Sequence, residues 1–243
     1  MKSTELINQF QKAKKDTSLT VIEGVQALKH AVRFDAKIEE VITCDMSMLA
    51  KLLQELAPDI SQKVLYAAEV VEPEIFEQLS SRPIRTRVIS LARRPKYNID
   101  TIARNRPVVV LEDPKDLDNV GAVVRVASAA NAAAVITVGN VDIWHPLAIR
   151  GGAGLQYATP VFSFKQFNLR TLQRRLIAMD PTGDNISIIK PVQNAVFIFG
   201  TERHGITPKT LEDADQKLRL QMKPGVSSMN LATSVAATLY SLI

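Results

Sequence analysis

Apolar positions recur along this chain with two periods, and the switching between them sets the expected elements. Near the amino terminus the spacing predicts an amphipathic helix over 3–15, a short strand at 19–22 and, after Glu23-Gly24, a helix over VQALKHAVR (25–33). IEEVIT (38–43) reads as a strand, 46–56 as a helix, KVLYA (63–67) as a strand, 72–79 as a helix, and 88–91 as a last strand. This βαβα order implies a small sheet covered by helices. The alternation resumes with PVVVLED (107–113), a helix over 119–130, AVITV (134–138), a helical stretch near 146–152 and ATPVF (158–162). A helix near 168–178, AVFIF (195–199), a helix near 208–214, KLRLQM (217–222) and a closing helix from Asn230 complete the pattern. Unbroken apolar runs such as VVVL and VFIF are what parallel strands covered on both faces require. No internal repeat or low-complexity tract interrupts the order.

Composition divides this pattern in two. From 82 to 106 the chain reads RPIRTRVISLARRPKYNIDTIARNR, with eight Lys or Arg, one acid (Asp100) and two prolines. The expected organisation is an amino-terminal domain over 1–92, a basic linker over 93–106 and a larger α/β domain over 107–243. Arg93 and Arg94 in the linker are candidate phosphate contacts, because arginine makes charge-assisted bidentate bonds to phosphate and releases counterions on binding. The net charge of +5 and pI near 9.3 point the same way only weakly. Residues 1–106 carry 17 basic and 14 acidic side chains and the remainder 13 and 11, so the surplus is not a one-sided tail.

Other classes are set aside on composition. With 243 residues, 46% of them apolar, the chain has a core of its own and is neither disordered nor a disulfide scaffold. Cys44 is the only cysteine and the histidines, His30, His145 and His204, are scattered, so no metal site is expected. No apolar run reaches the roughly 18–20 residues of a membrane helix, and MKSTELINQFQKAKK has no apolar signal core. A soluble protein of the reducing cytoplasm is expected. There is no GxxxxGK[ST], no HExxH, and no GxGxxG between a strand and a helix; the glycines of RGGAG (150–154) lie beyond a helix.

Three segments carry candidate chemistry instead. In DPKDLDNVGAVVRVASAANAAAV (113–135), Asp118 or Asn119 is a candidate helix cap and Asn131 suits the left-handed residue after the helix. Arg125 lies there among valines and small residues, where a covered cation would need an anionic partner, protein or ligand. In AVFIFGTERHGITP (195–208), a strand ends at Gly200, and Glu202, Arg203 and His204 follow in a loop, the place where open α/β sheets bind ligands. His204 is a possible general base, although exposed loop histidines are common. In LRLQMKPGVSSMNLATSVAATLY (218–240), a Pro-Gly turn precedes Ser227, Ser228 and Asn230 at the start of the last helix, a placement suited to a polar ligand or merely to capping.

In this order the segments resemble the motifs of the SpoU (TrmH-like) family of RNA ribose 2'-O-methyltransferases in the SPOUT superfamily. The resemblance rests on N-x-G-A-x-x-R at 119–125, F-G-x-E-x-x-G at 199–205 and S-x-N-L-A-x-S-V-A at 228–236, and covers 107–243. More loosely, VIEGVQALKHAVR, EVI and IFEQLSS resemble the ribosomal-protein-like RNA-binding domain of many members. The resemblance implies a parallel α/β sheet whose carboxyl-terminal chain forms a deep trefoil knot, an exception to the general absence of knots. It also implies S-adenosylmethionine as methyl donor, RNA (ribosomal favoured, transfer RNA the other option) as substrate, and a homodimer with active sites at the subunit interface.

Carried onto this sequence, the resemblance makes Asn119, Arg125, Glu202, Ser228 and Asn230 the catalytic set. Gly200, Gly205, Leu220, Met222 and Met229 become the donor-binding set. Arg125, never deprotonated in isolation, is read as a phosphate contact and a stabiliser of the developing alkoxide. QMKPGV (221–226) departs from the family's usual turn. Trp144 and His145 are read as packing residues or, for Trp144, a base-stacking platform. A non-catalytic RNA-binding dimer and a base-directed knotted methyltransferase are the competing readings.

Overall fold

The computed structural model describes residues 2–13, 15–188, 192–201, 204–226 and 228–241. The chain divides into two compact units, Met1–Lys96 with Trp144–Ala158, and Tyr97–Ile143 with Thr159–Ile243.

The first unit is built on a four-stranded mixed sheet of order β1-β4-β2-β3, from β1 (Leu19–Glu23), β2 (Ile38–Thr43), β3 (Ala68–Val70) and β4 (Val88–Arg93). Helices α1 (Lys2–Ala13), α2 (Val25–Arg33), α3 (Met46–Leu56), α4 (Ser61–Ala67) and α5 (Pro73–Leu79) accompany it. Phe10 and Ala13 of α1 and Phe76 and Leu79 of α5 pack with Val21, Ile42, Ile89 and Leu91 of the sheet. The expected strand at 63–67 is instead the helix α4. Its buried residues, Ser61 and Val64, are three apart, a spacing that a helix turns to one side and a strand to opposite faces, and the strand begins at Ala68.

The segment 144–158 belongs to this unit although the sequence division places it beyond 107. Thr20 Oγ1 donates to the Trp144 carbonyl at 2.8 Å, the Tyr157 hydroxyl donates to the Arg93 carbonyl at 3.2 Å, and His30 Nδ1 lies 2.7 Å from the Ala153 carbonyl. Gly154 has φ +77 and lies so near Ala27 that a Cβ would sit 2.2 Å from the Ala27 carbonyl oxygen. Gly154, the last glycine of RGGAG, therefore serves close backbone packing. Trp144 is buried, edge-on to Tyr157 at 5.1 Å, so it offers no face for stacking a base. His145 Nδ1 accepts from Leu147 N at the start of α7 (Pro146–Gly151).

The second unit holds six parallel strands in the order β10-β8-β9-β5-β6-β7. Their ranges are β5 (Val108–Glu112), β6 (Ala134–Val138), β7 (Val161–Phe164), β8 (Arg175–Asn185), β9 (Ala195–Phe199) and β10 (Gln216–Arg219). All five residues of β9 and the first four of β5 are buried, as strands covered on both faces must be. The helices are α6 (Leu117–Ala129), α8 (Pro208–Asp213) and α9 (Leu231–Tyr240), and α6 packs against α9. The expected helix near 168–178 is a single 3₁₀ turn, Leu169–Leu172, followed by β8. Gln173 takes φ +53 and ends the turn, and the next buried apolar residues, Leu176, Ile177 and Ala178, are consecutive, the pattern of a covered strand. Arg174, also buried, donates to the Arg106 and Ala103 carbonyls.

Among the described residues, no helix is long and apolar enough to cross a membrane, and no group of three or more His, Cys, Asp or Glu is placed to hold a metal ion.

Candidate active site

β8 and β10 do not pair continuously. Gln216 and Lys217 align with Ile177 and Ala178, whereas Leu218 and Arg219 align with Asp184 and Asn185, so residues 179–183 loop out of the ladder. Thr182 closes this loop by donating its N–H and hydroxyl to Asp180 Oδ1. Gly183 then lies so near the passing β10 backbone that a Cβ would be 2.4 Å from Lys217 C. The looped-out Met179, Asp180 and Pro181 form one wall of a cleft of about 250 Å³ in the second unit.

The floor is the end of β9. Phe199, Gly200 and Thr201 line it, and the loop returns at once, with Thr201 N donating to Gly205 O and Gly205 N to Thr201 O. A Cβ on Gly200 would fall 2.0 Å from Gly205 C, so this tight return demands glycine at 200. Gly205 takes φ +66 and has open space where a Cβ would point. Past the loop, Glu112 at the end of β5 accepts from Thr207 N, Thr207 Oγ1 and Thr210 Oγ1. Thr207 is the cap and Pro208 the first residue of α8, a pairing that suits a helix start because proline has no N–H to leave unsatisfied there.

Leu220, Met222, Ser228 and Met229, after β10, complete the wall. Val226 N donates to Lys223 O and Gly225 takes φ +89, so the departing QMKPGV segment forms the tight turn its Pro-Gly pair favours. All five residues of the expected donor-binding set, Gly200, Gly205, Leu220, Met222 and Met229, line this one cleft, together with Ser228. Asp180 and Arg219 add opposite charges; Arg219 is held by a 2.9 Å bond to the Gly183 carbonyl.

The first and third segments meet beside it. Asn230 Oδ1 caps α9 by accepting from Ala232 N and Thr233 N, which leaves Nδ2 to donate to Asn119 Oδ1 at 3.0 Å. Asn119 is available for this because it is not the helix cap: Asp116 is, accepting from Asp118 N and Asn119 N. Asn131 has φ +57, the left-handed conformation expected of it. Arg125 differs from expectation. It is exposed, it does not line the cleft, and its side chain makes no hydrogen bond or ion pair among the described residues. The valines flanking it, Val123 and Val124, turn inward, which leaves Arg125 on the open side of α6 with no burial cost to offset. Glu202, Arg203 and Ser227 lie outside the described residues. His204 is exposed, its N–H donating to Thr201 Oγ1.

Arg93 and Arg94, the linker arginines expected to contact phosphate, are both engaged. Arg93 pairs with Glu39 at 2.7 Å and Arg94 Nε donates to the Leu19 carbonyl. Sequence reasoning missed Met179, Asp180 and Pro181. The turn-forming tetrad Asp-Pro-Thr-Gly at 180–183 is the signal that marks them.

A parallel α/β unit with a cleft at the carboxyl ends of its strands, beyond a glycine-ended strand, belongs to the broad class that holds small ligands there. More narrowly, the chain belongs to the SpoU rRNA Methylase family, whose profile matches residues 106–240, more than half its length. It is 29% identical over 166 residues to an uncharacterized tRNA/rRNA methyltransferase of Mycobacterium bovis, a match that spans 63% of this chain and 58% of that protein. It is 24% identical over 249 residues to the 23S rRNA (adenosine(1067)-2'-O)-methyltransferase of Streptomyces azureus, covering 98% of this chain and 91% of that one. Among solved structures it is similar to the SpoU methyltransferase AviRb of Streptomyces viridochromogenes in complex with AdoMet, with a TM-score of 0.79, 17% identity and 96% of each chain covered. At that identity the likeness speaks to the fold.

Proposed function

We propose that this protein transfers a methyl group from S-adenosylmethionine to a ribose 2'-hydroxyl of structured RNA, with ribosomal RNA the favoured substrate. The observation that carries this reading is the convergence of the family's motifs at one cleft, with Asn119 and Asn230 bonded beside it.

The cleft fits the donor. Met179, Phe199, Leu218 and Met222 would offer apolar and sulfur surface to its purine and the methylenes of its methionyl chain, and Asp180 and Arg219 would offer opposite charges to its ammonium and carboxylate. When bound, the donor supplies an electrophilic methyl group on a sulfonium. The protein's part is positioning: the tight turn at Gly200 and Gly205 keeps side chains out of the floor, and the Asn230 cap fixes where Ser228 and Asn119 stand. Holding the hydroxyl in line with the methyl group supplies much of the rate in such a displacement. Arg125 binds the phosphate next to the reacting ribose and stabilises the charge that grows on its oxygen. Its exposure and its absence from the cleft of its own chain support a homodimer in which α6 presents Arg125 to the partner's cleft. The close passage of β10 over Gly183 supports a carboxyl-terminal chain threaded into a knot. The favoured ribosomal RNA substrate supports a cytoplasmic site of action.

Incubation with labelled S-adenosylmethionine and, in parallel, ribosomal RNA fragments and total transfer RNA tests the substrate. Label in the ribosomal fragments is expected; label confined to transfer RNA would reverse the preference.

A further inference from the structure

Five arginines of the basic stretch lie in the first unit, and they fall into two groups. Arg93 and Arg94 are spent on Glu39 and the Leu19 carbonyl. Arg82, Arg85 and Arg87 are exposed, and their side chains make no hydrogen bond or ion pair among the described residues. All three line a second cleft, of about 620 Å³, wholly within the first unit. Its apolar lining includes Cys44, Met48, Phe76 and Ile84, and among the described residues it holds one carboxylate, Glu77. Three guanidiniums against one carboxylate leave a positive rim around an apolar floor.

The loop that carries these arginines has no helix or strand, yet it is fastened at three points. Ser80 Oγ donates to the buried Glu23 at 2.6 Å and accepts from Arg82 N. Thr86 Oγ1 accepts from Val25 N at the start of α2. Thr43, fully buried, donates its hydroxyl to the Arg87 carbonyl at 2.6 Å, and Arg87 itself is held at φ +48, a conformation few side-chain-bearing residues adopt. None of these fasteners uses a guanidinium. The backbone is thus fixed while the three charged ends stay open to a ligand, the arrangement that lowers the ordering cost of binding.

We infer that this cleft is the substrate-anchoring site of the first unit: Arg82, Arg85 and Arg87 hold successive phosphates of an unpaired RNA strand while a base rests on the accessible apolar surface of Met48 and Ile84. This rests on the RNA reading above and assigns the contact to this loop instead of Arg93 and Arg94. Unstacked bases laid on apolar or sulfur-containing surface, with arginines along the backbone, are how proteins commonly hold single strands.

The test is fluorescence anisotropy with a labelled single-stranded RNA 20-mer of mixed sequence, in the full-length protein. The combined Arg82→Gln, Arg85→Gln, Arg87→Gln variant is expected to bind about tenfold or more weakly, with a salt dependence shallower by about two, as loss of three single-strand phosphate contacts implies. Arg93→Gln should change the slope by less. Unchanged affinity and slope in the triple variant overturn the assignment, as does displacement of the RNA by poly-glutamate at equal charge concentration, which would make the cleft a site for acidic peptides. Cys44, the only cysteine, is a built-in reporter: saturating RNA should slow its alkylation several-fold, and an unaltered rate counts against occupancy. S-adenosylmethionine binding to the second unit, measured by calorimetry, should be the same in every variant and shows that they fold. Absence of methyl transfer by the wild-type protein would fault the enzymatic reading and leave these binding results standing.

Discussion

Arg125→Ala is expected to lower methyl transfer at saturating RNA by about 10²–10³-fold, the usual loss when a group that stabilises developing charge is removed. Donor binding should stay within about twofold, because Arg125 does not line the donor cleft. Stability should change by less than about 0.5 kcal/mol, since the side chain is exposed and its side chain makes no bond or ion pair among the described residues. Single-turnover transfer, calorimetry with S-adenosylmethionine and urea unfolding separate these three effects. Arg125→Lys should recover only part of the rate, because lysine keeps the charge and loses the planar fork. Normal turnover in Arg125→Ala would remove Arg125 from the chemistry; loss of donor binding alone would move it to the cleft.

Gly200→Ala carries the second large expectation. A Cβ there meets the Gly205 backbone at 2.0 Å and Ile206 N at 2.3 Å, and no side-chain rotation relieves a clash between main chains. The 200–206 turn must open, displacing the floor of the cleft. Donor affinity is expected to fall about tenfold or more, with about 1–3 kcal/mol lost from stability as for other overpacked sites. Gly205→Ala is the matched control. Its Cβ would point into open space, so its only penalty is the left-handed conformation at φ +66, of about 1 kcal/mol. Equal effects from the two substitutions would show that conformation, not the close return of the chain, governs the turn.

How much of this was legible in the sequence depended on the range of the forces involved. The strands β5, β6 and β9 were plain because their apolar runs are covered on both faces whatever packs there. The motif residues were found as a set because short segments carry them. Residues 63–67 were misread because a single β-branched residue, Val64, stood in a segment too short to show a period, and pairing with β2 falls instead on Ala68–Val70. The helix expected near 168–178 failed because Arg174 and Arg175 imitate a polar helix face, while Arg174 is in fact buried against carbonyls. Arg125 was expected to be covered because its neighbours are apolar; which side of α6 is covered depends on α9, more than a hundred residues away. The 179–181 wall arises from the shifted register of β8 on β10, a long-range pairing that no local pattern records. The linker arginines show the same limit: charge could be counted, but only packing reveals which guanidiniums are already taken.

Ribose methylation is read out by nucleoside mass spectrometry. RNA incubated with the protein and methyl-labelled S-adenosylmethionine is digested to nucleosides and the label located. Label is expected on the ribose of a single nucleotide, at the 2'-oxygen, and is expected to be lost in Arg125→Ala. Label on a base, with every ribose 2'-hydroxyl unmodified, would contradict it.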